Sequence, residues 1–227
     1  MGKIKVILIG AGNRGTTYAR HAYDACPELE IVAVADPNPV RRNHIKEKFN
    51  LPDSACFESW ENILALPKFA DAAIIATQDQ MHFEPAMKAI ELGYHLLLEK
   101  PAAPTPAECY KIADAANKKG VSVIICHVLR FTPFFTTLKR IIDEGKIGKV
   151  MSINHYEGVG HIHYSHSFTR GNWHKEADSS PMYYFNNFFP FLLPLLSLPH
   201  FSSFPLGLHL YLSKDLGGFF CRFKSST

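Results

Sequence analysis

Short, mostly apolar runs alternate along the first half of the chain with longer stretches in which apolar residues return every three or four positions. These are the two periodicities of strand and helix. Residues 6–9, 31–36, 72–76, 94–98 and 121–125 predict strands, with Cys56 and Phe57 as a short further one. The short, wholly apolar run 72–76 suits a parallel strand covered on both faces. Between them, 13–25, 39–49, 60–66, 82–92 and 105–119 predict helices. Pro39 stands in a first turn, where a missing amide costs nothing, and Ser59 predicts an N-cap. Gly93 and Gly120 predict helix stops. Strand and helix alternating through five or six rounds predict a doubly wound parallel sheet with ligands at the carboxyl ends of its strands.

The rhythm changes near His127, where a domain boundary is expected. Residues 134–143 predict a helix, Gly145 to Gly148 a turn, and 149–156 a strand of a different, antiparallel sheet. This gives an α/β chain in three parts: 1–127, 128–182 as the start of a second, open-sheet α/β domain, and 183–227 as an aberrant apolar tail. Nine of the seventeen phenylalanines fall in those last 45 residues, with only Lys214, Asp215, Arg222 and Lys224 charged. The best apolar run there, 188–198, contains Pro190 and Pro194 and is too short for a membrane span, which needs about twenty residues. A reading frame or splice lost near Met182 accounts for the tail better than a divergent domain does.

Composition narrows the class. With 47% hydrophobic and 20% charged residues and a net charge of +3, the chain reads as globular, with no basic stripe for nucleic acid. Five cysteines, odd in number and without metal spacing, suit reduced thiols in the cytoplasm. A first strand beginning at Lys3 or Ile4 leaves no room for a signal peptide.

The first strand runs into Gly10-Ala-Gly12-Asn13-Arg14-Gly15. Gly10 suits a tight turn, Gly12 lets main chain approach a pyrophosphate, and Gly15 lets the helix pack closely on its strand. Amides of the turn at Asn13 and Arg14 then face an anion with the helix dipole behind them. Asp36 ends the second strand, twenty-one residues past Gly15, where a carboxylate accepts from a ribose hydroxyl. Such a carboxylate repels a 2′-phosphate and favours NAD, although Arg41 and Arg42 nearby keep NADP as the lesser reading. The competing role for Asp36 is a helix cap near Pro39.

Three motifs stand at the ends of successive strands: the glycine turn, Thr77-Gln78 with His82, and Glu99-Lys100-Pro101 preceded by Gly93-Tyr94-His95. With Cys126 to Pro133 and Arg170-Gly171-Asn172-Trp173, they resemble the glucose-fructose oxidoreductase, inositol dehydrogenase and MocA family, over about residues 3 to 182. The resemblance implies a Rossmann-type NAD(P) domain followed by an α/β domain, acting mostly on sugars and polyols and often assembling through the second sheet. The family's next helix, carrying an aspartate and a histidine that face substrate, has no match after Pro181. Activity and homo-oligomerisation are therefore in doubt for this chain.

Oxidising a secondary alcohol requires a base beside the oxygen, and Lys100 is the candidate. Burial beside a cationic nicotinamide ring would favour the neutral amine over the ammonium. Glu99 reads as orienting Lys100, as meeting the nicotinamide ribose, or as structural; Pro101 stiffens the turn. Thr77, Gln78 and His82 line the cofactor cleft, with a helix cap as the alternative for His82. His127 and Arg130 point toward substrate, with a salt bridge as the alternative for Arg130. His155, His161, His163, His166 and His174 match no zinc spacing, so no metal is expected. They read instead as a polar loop over the substrate, where Tyr156, Trp173 and His174 supply a stacking wall and hydrogen-bond partners. The sum is an NAD-dependent oxidoreductase acting on a small sugar or polyol, without nucleic-acid or membrane partners. Its rivals are an NAD-dependent glycosidase and a non-catalytic nucleotide-binding protein.

Overall fold

A computed structural model of the chain describes residues 2–152, 154 and 160–171. They fall into two compact units, one ending at Cys126 and the other beginning at His127. In the first, β1 (Ile4–Ile9), α1 (Asn13–Ala25), β2 (Leu29–Ala35), α2 (Pro39–Phe49), β3 (Cys56–Phe57), α3 (Trp60–Leu64), β4 (Ala72–Ile75), α4 (Phe83–Leu92), β5 (His95–Leu98), α5 (Pro106–Lys119) and β6 (Val123–Ile125) follow one another. The six strands form one sheet in the order β3-β2-β1-β4-β5-β6, and every pair in it is parallel. The chain reverses its winding direction between β1 and β4, the point where such sheets open a crevice at their carboxyl ends.

Alternation along the strands builds two apolar layers. Ile7, Ile9, Ala33, Ala35, Ala73, Ile75, Leu96 and Leu98 share one core with Ile63 and Leu64 of α3, Ala86, Ala89 and Ile90 of α4, and Ile112 and Ala116 of α5. Val6, Leu8, Val34 and Ile74 are equally buried on the opposite parity, where α1 lies over Leu8. Burial on both sides is why these runs carry no polar alternation. The β1–β2 register slips between Val6 and Ile7, so that Ile7 pairs with Ala33 and Val32 is skipped.

Local chemistry sets the helix ends. Asn38 caps α2, its side chain accepting from the amides of Val40 and Arg41 at 2.9 and 3.2 Å. Ser59 caps α3 through the amide of Asn62. Thr105 and Glu108 form a reciprocal capping box on α5. Three expected boundaries move inward. The third helix stops at Leu64, and β5 begins at His95 because Tyr94 is consumed in closing α4, its amide donating to Ala89. The last strand of the sheet is cut to Val123–Ile125.

The second unit contains α6 (Pro133–Asp143), a turn through Gly145 and Gly148, and α7 (His161–Tyr164) continuing into a π-helical turn, Ser165–Thr169. Two expectations are corrected here. Residues 149–152 and 154 form no strand, and the part of the histidine-rich segment that is described is helical rather than a loop. Residues 155–159 and 172–227, with Tyr156, Trp173, His174 and the apolar tail, lie outside the described residues. Among the described residues no helix is long and apolar enough to cross a membrane.

Candidate functional site

The turn between β1 and α1 is shaped by what a β-carbon would hit. At Gly10, with φ +90°, it would meet the carbonyl oxygen of Ala76 at 2.6 Å. At Gly15 it would meet the carbonyl oxygen of Gly10 at 1.9 Å and Leu8 at 3.2 Å. These two glycines bind the turn to the end of β4 and the helix to its strand. Gly12 differs: a β-carbon there would meet nothing closer than the Arg41 guanidinium at 3.9 Å. The internal packing does not require that glycine, whereas a group approaching the turn from outside would. Gly12 is also the N-cap of α1 and offers no side-chain acceptor, so the first amides, at Asn13 and Arg14, keep their donors for an anion.

Asp36 is 4% exposed and locks this turn in place. Its Oδ2 accepts from the amide of Ala11 at 2.7 Å and its Oδ1 from the amide of Asn38 at 2.8 Å. The helix cap is Asn38, so the capping alternative for Asp36 is set aside. Each carboxylate oxygen retains a further lone pair for a ribose hydroxyl. The two neighbouring arginines divide. Arg42 is committed to the protein, donating to the Asp36 carbonyl at 2.6 Å and pairing with Glu58 at 3.6 Å. Arg41 is exposed beside Gly12.

The ends of β4 and β5 meet through His82. Its fully buried ring places Nδ1 2.6 Å from the Pro101 carbonyl oxygen and Nε2 3.1 Å from that of Thr77. Whichever nitrogen carries the hydrogen donates to one of these carbonyls and ties the two loops together. His82 makes no side-chain cap on α4. Its ring is fully buried, with both nitrogens held by main-chain carbonyls. Thr77 is half-buried, its hydroxyl donating to Met81 O at 3.0 Å, and Gln78 is exposed at the mouth.

Glu99, 5% exposed, follows β5 directly. Its Oε1 accepts from the Tyr18 hydroxyl on α1 and lies 3.9 Å from the Arg14 guanidinium; its Oε2 accepts from the amide of Lys100 at 2.8 Å. Its hold on the Lys100 amide is the contact that supports the orienting role. Lys100 is half-buried and precedes Pro101 through a cis peptide bond. Among the described residues its amine makes no hydrogen bond or ion pair.

Tyr18 and Cys126 belong to the same cluster; sequence reasoning missed Tyr18 and read Cys126 only as the start of a motif, with no role at the site. The only signal was spacing: Tyr18 stands four residues after Arg14, so both project from one face of α1 toward Glu99. Burial, the Cys126 charge and Glu99 hold the Tyr18 phenol well above its ordinary value. Burial, reinforced by the charge of Glu99, pushes the Cys126 thiol up to about 12. Both acids are thus kept protonated in the fold, while in the unfolded chain they ionise near their ordinary values. Stability is expected to fall as pH rises from the ordinary thiol range, near 8.5, toward about 12, with little slope below it. Urea unfolding at stepped pH checks the sign, and Cys126→Ala should flatten the first part of the decline.

His127 and Arg130 lie at the start of the second unit, where a short 3-10 turn, Val128–Phe131, joins them through an amide of Arg130 donating to His127 O at 3.1 Å. Burial lowers the Arg130 guanidinium from its ordinary value. Among the described residues no three of His, Cys, Asp and Glu gather as a metal site.

A parallel sheet wound 3-2-1-4-5-6, with an open glycine turn and a buried carboxylate at its switch point, defines a dinucleotide-binding domain. The chain belongs to the Gfo/Idh/MocA oxidoreductase family with an NAD-binding Rossmann fold, whose profile matches residues 4–127. It is 29% identical over 157 residues to the scyllo-inositol 2-dehydrogenase (NADP(+)) of Bacillus subtilis, covering 67% of this chain and 42% of that protein. To the levoglucosan dehydrogenase of Pseudarthrobacter phenanthrenivorans it is 31% identical over 160 residues, covering 67% and 40%. Among solved structures, an NAD-binding protein from Listeria innocua superposes with a TM-score of 0.57 at 29% identity, covering 66% of this chain and 41% of that one. The chain thus spans under half the length of the curated relatives it matches.

Proposed function

We propose that this chain binds NAD across the carboxyl ends of β1, β2, β4 and β5 and serves a hydride transfer between a secondary alcohol of a sugar or polyol and the nicotinamide. The observation that carries the reading is the position of Lys100. Its amide is fixed by a buried carboxylate that also contacts the dinucleotide helix, while its amine is left without a partner among the described residues. A bound nicotinamide dinucleotide supplies the hydride acceptor. The residues present fit it: the space at Gly12 admits the pyrophosphate, the α1 amides meet its charge, and Asp36 accepts from the adenine-side ribose. Arg41, exposed beside Gly12, gives NADP a foothold too, so the preference for NAD is expected to be graded. Lys100 takes the hydroxyl proton onto Nζ as the carbon loses its hydride.

The names of the two curated relatives are those of dehydrogenases of a polyol and an anhydrosugar, which favours net oxidation over the glycosidase rival. The 1–127 and 128–182 division, and roles for His127, Arg130, Tyr156, Trp173 and His174 at the substrate, belong to the same proposal. Fluorescence titration with NADH and NADPH, followed by a polyol screen read as growth of reduced-nicotinamide absorbance, tests it. Micromolar NADH binding with accumulation of NADH supports the reading. Binding without turnover supports the non-catalytic rival for this chain, and no binding overturns both.

A further inference from the structure

Tyr18 lies in the middle of α1, remote in sequence from the Lys100 turn, yet its hydroxyl donates to the same carboxylate that holds the Lys100 amide. A buried carboxylate is costly unless each oxygen has donors. Glu99 has two neutral ones, the Tyr18 hydroxyl on Oε1 and the Lys100 amide on Oε2, plus a distant and mostly exposed Arg14. The Tyr18 bond therefore decides which way the carboxylate plane turns. That plane in turn decides whether Oε2 faces the Lys100 amide. Cys126, just past β6, is buried against the Tyr18 hydroxyl.

We infer that Tyr18 is a positioning residue for Lys100, acting through Glu99 to hold the base-bearing turn against the helix that carries the phosphate-facing amides. The inference rests on the proposed function for its meaning, but the hydrogen-bond relay exists with or without a cofactor. A donor to a carboxylate of this kind is stronger than one between neutral groups, so its loss is readable at a single amide.

The test is Tyr18→Phe, which deletes one oxygen and keeps the half-buried ring. In the full chain, the Lys100 amide is expected to exchange at least tenfold faster and its proton resonance to move upfield as the bond to Glu99 weakens. The amides of Leu96 and Leu98 in β5 should stay within twofold of the parent. In a Glu99→Ala background, Tyr18→Phe should change Lys100 exchange less than twofold, since the linking carboxylate is already gone. An unchanged Lys100 amide in Tyr18→Phe overturns the inference, as does equal loosening of β5, which would make Tyr18 an ordinary packing residue. Additive effects in the double variant would show that Tyr18 does not act through Glu99 and would overturn it too. NADH titration of the parent separates the two claims: failure to bind removes the proposed function while exchange still decides the relay.

Discussion

Lys100→Met should reduce hydride transfer by roughly a hundred- to ten-thousandfold, the usual worth of a positioned general base, while NADH binding stays within about threefold of the parent. The asymmetry follows from where the side chain is anchored. Its main-chain amide, which methionine retains, is the group bonded to Glu99, and among the described residues the amine holds nothing in place. The fold should therefore be indifferent to its loss. Methionine keeps the length and apolar stem of lysine but cannot accept a proton. The acid limb of the rate profile in the parent should vanish in the variant, leaving a slow rate that depends only on hydroxide. Stopped-flow transfer from a polyol across pH, with binding measured in parallel, checks both halves. A profile unchanged by the substitution would remove Lys100 from the role of base.

The backbone of this site could be read from the sequence because it depends on local rules. A strand of β-branched residues ending in Gly-x-Gly-x-x-Gly has few other conformations to adopt, and Gly10 and Gly15 sit where any β-carbon strikes a carbonyl. The same holds for the alternation of β4, α4 and β5, whose apolar runs and Gly93 stop need no distant partner to be recognised. What escaped was assigned by contacts between elements. His82 reads as a cap or a cleft residue because it opens a helix, but its ring is claimed by two carbonyls, one of them nineteen residues away at Pro101. Tyr18 meets a carboxylate 81 residues on. No periodicity announces such pairs, because a half-buried tyrosine on an amphipathic helix looks like any other packing residue. Asp36 lies between these cases. Its place at the end of β2 was legible, whereas its task of fixing the amide of Ala11 was visible only once β1 and β2 were side by side. The strand expected over 149–156 is absent over its described residues, 149–152 and 154, for a related reason: no neighbouring strand stands beside them among the described residues, and a single strand has nothing to hold it extended.

The three glycines should separate folding from binding. Gly15→Ala forces a β-carbon to within 1.9 Å of the Gly10 carbonyl oxygen, a backbone atom that cannot swing aside. Relief requires α1 to lift from Leu8, opening the packing of the helix on β1, so a loss of about 3 kcal/mol or more is expected, in the range of severe core overpacking. Gly10→Ala combines a contact of 2.6 Å to the Ala76 carbonyl with a φ of +90°, and should be comparably damaging. Gly12→Ala meets only the end of a flexible arginine at 3.9 Å, so the midpoint of unfolding should move little. Its added methyl instead occupies the approach to the α1 amides, and NADH affinity should fall at least tenfold as the diphosphate is held off its donors. Urea unfolding and NADH titration on the three single variants read the two effects independently. Unimpaired binding in a well-folded Gly12→Ala protein would place the diphosphate elsewhere, and a stable Gly15→Ala protein would mean that the contact between α1 and β1 is looser than these distances require.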